Sequence, residues 1–67
     1  MIVIHVNGSA QSVGNDQRVD TLVASMTEAS TGVAVAVNEV VIPKSQWNST
    51  TLLDGDRVEV LTAAPGG

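Results

Sequence analysis

One stretch of this chain carries helical periodicity, and that constrains the possible fold more than any other feature. Apolar residues fall at Val19, Leu22, Val23 and Met26, the i, i+3, i+4, i+7 spacing of one buried helix face. The segments on either side carry strand patterns. A single helix can cover one face of one small sheet, so the expected class is α+β, with a mixed sheet of four or five strands. The length agrees: 67 residues make one domain. A domain of that size buries only about 60% of the surface its unfolded chain exposes. A deep substrate cavity would take apolar volume that so thin a core cannot spare.

The strands declare themselves by composition and by the turns between them. Ile2-Val3-Ile4-His5-Val6 is β-branched and apolar apart from His5, and Asn7-Gly8 follows at once. Asn-Gly is the strongest two-residue hairpin signal, because both central residues of a type I′ turn need positive φ. Ser9 to Val13 is then the return strand. Gly14 to Arg18 is a polar connection leading to a helix predicted over 21–29, with Asp20 accepting from its first-turn N–H groups and Gly32 as its stop.

Val33 to Val37 alternates Val and Ala without a polar residue, which predicts a strand covered on both faces or lying within the sheet. Asn38-Glu39 forms a tight turn into Val40-Val41-Ile42, a short strand that Pro43 ends or confines to an edge. Residues 45–53 read as an irregular loop anchored by Trp47, the one aromatic residue of the chain. Asp54-Gly55-Asp56 is a turn, and Arg57 to Thr62 alternates as a last strand with Val58 and Val60 inward and Arg57, Glu59 and Leu61 outward. The order is β-β-α-β-β-β, giving a body over residues 1–62 and an expected flexible tail over 63–67.

Composition excludes several kinds of chemistry. The absence of cysteine removes disulfides, thiolate metal sites and any persulfide held on the chain. Arg18, Lys44 and Arg57 are the only cations against a net charge of −4, too few to displace counterions from nucleic-acid phosphates. Such an acidic balance suits a basic protein partner. No segment approaches the roughly 20 apolar residues of a membrane span. The opening MIVIHVNG has no basic leader pattern, so a cytoplasmic location is the expectation.

The candidate chemical residues are few. His5 is the single histidine and reads as a solvated strand residue; no metal site is expected. The Asp54-Gly55-Asp56 turn lacks the ligand count of a calcium loop and the glycine density of a phosphate loop. The carboxylates are scattered, and none takes a catalytic role. Leu61 on the outward face and Ala63 beside it are candidates for partner docking.

Taken in order, several segments resemble the thiamine-biosynthesis sulfur carrier family, ThiS, along essentially the whole chain. They are the opening strand into Asn7-Gly8, the Thr21-Leu22 helix start, Val35 to Glu39, Val41-Ile42-Pro43, Trp47, Leu53 to Glu59, and the terminal Gly66-Gly67. The resemblance implies a ubiquitin-like β-grasp fold, with the first and last strands parallel and adjacent at the sheet centre. It also implies a carrier rather than an enzyme. Gly67 would be adenylated and converted to a thiocarboxylate, and Gly66 would be the neighbour needed for threading into a partner. The implied partners are an adenylyltransferase of the ubiquitin-activating type and a thiazole synthase. The carrier would be monomeric alone and bind no cofactor, ATP being used by the partner enzyme.

This tail suits that chemistry. A carboxylate carbon is a poor electrophile because oxide would have to leave, and joining the carboxylate to AMP supplies a good leaving group inside a water-excluded site. Side chains on the last two residues would crowd the approach to the α-phosphate. Ala63 to Gly67 spans about 17 Å when extended, at ~3.3–3.6 Å per residue. Pro65, where family members usually carry a less constrained residue, biases Ala64 towards extended backbone. Other readings stay open at this point: the small subunit of molybdopterin synthase, a ubiquitin-like modifier forming isopeptide bonds, or an interaction domain whose tail is incidental.

Overall fold

The Asn7-Gly8 pair builds the hairpin its chemistry predicts. Asn7 has φ 50° and Gly8 φ 85°, and they join β1 (Ile2–Val6) to β2 (Ser9–Val13) in antiparallel register, with Ile2 opposite Val13 and Val6 opposite Ser9. The computed structural model describes residues 1–29 and 31–63. After the hairpin come α1 (Val19–Met26), β3 (Val33–Val37), β4 (Val40–Ile42), a 3-10 helix (Lys44–Ser49) and β5 (Arg57–Thr62). The described strands form one five-stranded sheet in the order β2-β1-β5-β3-β4. β5 runs parallel to β1, pairing His5 with Arg57 and Val6 with Val58. It runs antiparallel to β3 over five pairs, from Val33–Thr62 to Val37–Val58. The first and last strands are therefore parallel neighbours at the sheet centre, the β-grasp arrangement.

Period-two alternation decides which side chains enter the core. Ile4, Val6, Val35, Val58 and Val60 point to one face and are buried there against Val19, Leu22 and Val23 of α1, with Trp47 and Leu52 closing the layer. β3 lies inside the sheet between β5 and β4, but only one of its faces is covered. Its alanines, Ala34 and Ala36, sit on the bare face.

Two segments depart from the sequence reading. The helix begins at Val19 and ends at Met26 instead of running over 21–29. Its start is fixed from a distance: Val19 N–H donates to Thr50 O at 3.0 Å, and Leu52 N–H donates to Gln17 O at 2.8 Å. Asp20 therefore lies inside the first turn, where its carboxylate accepts from Thr21 N–H at 2.8 Å rather than capping from outside. At the far end Thr27, at φ −153°, leaves the helix well before Gly32, and its Oγ1 accepts from Ala29 N–H at 3.1 Å. Met26, in the last turn, is 40% exposed rather than part of the buried face. The second departure is the loop after Pro43, whose first half is the 3-10 helix. Trp47 anchors it as expected: its ring is buried, and Nε1–H donates to Ile42 O at 2.9 Å.

Candidate functional site

β5 leads towards the chain end, so whatever surrounds its last residues sets what the tail can do. On the β3 side the sheet continues to the last rung: Thr62 pairs with Val33, and Ala63 N–H donates to Gly32 O at 2.7 Å. Gly32 has φ 72°, and a Cβ there would come within 3.3 Å of the Ala63 Cβ. The close approach and the backbone angle both favour glycine. On the β1 side the ladder stops early, because the chain turns away at Asn7. The Asn7 carboxamide takes over, with Oδ1 accepting from Val60 N–H at 2.9 Å and Nδ2–H donating to Val60 O at 3.2 Å.

The bare face beside this exit is apolar. Leu61 is 65% exposed and Val41 70% exposed, and Ala34 and Ala36 lie between them. The register explains the shape: Ala34 sits opposite Leu61 and Ala36 opposite Val41, so a row of small side chains runs between larger ones. The result is a shallow depression of about 340 Å³, with Glu39 and Glu59 among its lining residues. Contiguous exposed apolar surface with a polar rim is the usual mark of a protein-docking site. A second depression of about 430 Å³ lies in the helical layer between α1 and the 3-10 helix, away from this face.

Of the residues singled out in the sequence, Leu61 lies on the bare face and Ala63 at the end of the described chain, both exposed. Gly66 and Gly67, like Ala64 and Pro65, lie outside the described residues. His5 is exposed on the bare face of β1. The Asp54-Gly55-Asp56 turn has a structural use: Asp54 Oδ1 accepts from Val3 N–H at 2.8 Å, and Asp56 Oδ2 accepts from Leu53 N–H at 2.9 Å. Among the described residues no group of three or more histidine or carboxylate side chains is placed to hold a metal ion. No described helix is long and apolar enough to cross a membrane.

Sequence reasoning did not single out Val41, Ala34, Ala36 or the Asn7 side chain. The Val-Ala alternation of β3 does put both alanines on one face, but their meeting with Val41 and Leu61 depends on strand order.

Comparison with known proteins gives a consistent picture. The model of the ThiS family matches residues 4–67. The chain is 28% identical over 61 residues to the sulfur carrier protein ThiS of Escherichia coli, covering 91% of this chain and 92% of that one. It is 32% identical over 66 residues to the protein ycf40 of Pyropia yezoensis, covering 98% and 93%. Its fold is similar to the crystal structure of a thiamine biosynthesis protein from Geobacter metallireducens, with a TM-score of 0.79 and 30% identity over 98% of this chain and 100% of that one.

Proposed function

The chain belongs to the ThiS family, and on that premise we propose that it is a sulfur carrier for thiazole formation in thiamine biosynthesis, with Gly67 as the carrying residue. The observation that carries this reading is that the family match runs through the body and on to Gly66-Gly67. In the proposed cycle a Gly67 carboxylate oxygen attacks the α-phosphorus of ATP on a partner adenylyltransferase, and pyrophosphate leaves. A sulfur nucleophile then attacks the acyl carbon of the adenylate and AMP leaves, giving a thiocarboxylate. That sulfur passes to a thiazole synthase. The chain is a cosubstrate throughout; ATP is bound and used by its partner, and the carrier works in the cytoplasm as a monomer.

The body's contribution is docking. The depression around Leu61, Ala34, Ala36 and Val41 adjoins the end of β5, so a partner seated there receives the terminal residues. Its Glu39 and Glu59, on a chain of net charge −4, favour a basic partner surface. Ala63 extends this surface towards the tail.

The test is ATP–pyrophosphate exchange with the cognate adenylyltransferase. The intact chain should support exchange, and a chain lacking Gly67 should fold normally and support none. Exchange at the same rate without Gly67 would refute the assignment.

A further inference from the structure

β5 is held at its two ends by two asparagines, each at positive φ in a turn. At its start Asn38 Oδ1 accepts from Arg57 N–H at 3.0 Å, and Nδ2–H donates to Asp56 Oδ1 at 2.9 Å. Towards its end Asn7 binds both polar backbone groups of Val60, 53 residues away. The parallel ladder explains why a side chain is needed there. His5 N–H donates to Asp56 O and Asn7 N–H to Val58 O, both at 2.9 Å. The next rung would need main chain from β1, which has already turned into the hairpin. Without the carboxamide, Val60 would face that side with its N–H and C=O unpaired by protein.

We propose that Asn7 is a positioning residue for the terminal carboxylate: by completing the ladder at Val60 it holds the β1 side of β5 in place just before the strand's last two residues, the anchor from which the chain continues to Gly67. The proposal rests on the sulfur-carrier reading. Four residues beyond Ala63 reach at most about 14 Å at ~3.3–3.6 Å each. The docked body and the partner's nucleotide must therefore be in fixed register, and a misplacement of about 1 Å can cost on the order of a hundredfold in rate. Because the β3 ladder and the Ala63–Gly32 bond remain, losing Asn7 should cost less than that limit.

Asn7→Gly removes the carboxamide and keeps a turn that tolerates positive φ. Asn38→Gly removes the equivalent group at the other end of β5. The experiment measures ATP–pyrophosphate exchange with the cognate adenylyltransferase, together with the Kd of the carrier–enzyme complex. Asn7→Gly should lower kcat about tenfold with Kd within about twofold of the parent, and Val60 N–H should exchange faster with solvent. Asn38→Gly should keep the parent kcat. A parent-like kcat for Asn7→Gly, or an equal fall in both variants, overturns the proposal. Should Asn7→Gly fail to fold, Asn7→Asp keeps the acceptor for Val60 N–H and loses the donor to Val60 O. It should give an intermediate kcat, and a parent-like value overturns the proposal equally. If the parent chain itself supports no exchange, the carrier reading is what fails.

Discussion

The two faces of the sheet are made by the same strands, yet one is covered and the other is bare. On the covered face Ile4, Val6, Val35, Val58 and Val60 are buried under α1 and Trp47. On the bare face the intervening positions hold Val3, Ala34, Ala36, Glu59 and Leu61, joined by Val41 from the edge strand. Alternation thus separates, residue by residue, the buried positions from those proposed for recognition: Val60 is in the core and Leu61, next to it, is exposed. A thin domain can carry a docking surface without giving up core volume, provided that surface is shallow.

Substitutions on each face probe that division. Ile4→Ala on the covered face should cost about 2–5 kcal/mol in chemical denaturation, because it leaves a cavity at a site with no exposure. At roughly 0.05–0.15 kcal/mol of stability per residue a domain of this length has about 3–10 kcal/mol in all, so the variant should lose a large share of its stability. Leu61→Glu on the bare face should change stability by no more than about 0.5 kcal/mol. It should nevertheless weaken binding to the adenylyltransferase by about 2 kcal/mol, measured by calorimetry. Substantial unfolding of the Leu61 variant would erase the distinction between the faces.

Glu39 sets the two demands against each other at one position. It has φ 72°, a conformation costing a residue with a side chain about 1 kcal/mol or more, and it lines the depression. Its contact with Arg57, 3.8 Å between two exposed groups, offsets little of this. Glu39→Gly should therefore raise the melting temperature while slowing association with the partner. A weaker effect is expected at the other carboxylate of the depression. Glu59→Gln should leave stability within about 0.5 kcal/mol and lower kon severalfold at low salt, a difference that shrinks at high salt.

Local chemistry made much of the fold legible. Asn7-Gly8, Asn38-Glu39 and Asp54-Gly55-Asp56 mark their turns, and the alternation from Arg57 to Thr62 assigns each side chain to a face. The helix limits were less legible because a distant carbonyl, Thr50 O, fixes the first turn. The 3-10 helix is short and polar apart from Trp47, so its period leaves little trace in the sequence. Leu61 stood out from its own strand. Val41 and the two alanines join it only through the order β5-β3-β4, and Asn7 reaches Val60 across 53 positions. Neither juxtaposition can be read from a local pattern.

In the proposed function the scaffold presents a backbone acid and performs no chemistry itself. The decisive measurement is the intact mass of the chain after incubation with ATP, a sulfur donor and the partner enzymes. The expected result is a gain equal to the exchange of one oxygen for sulfur, mapped by fragmentation to Gly67. An unchanged mass, or sulfur mapped to another residue, would contradict it.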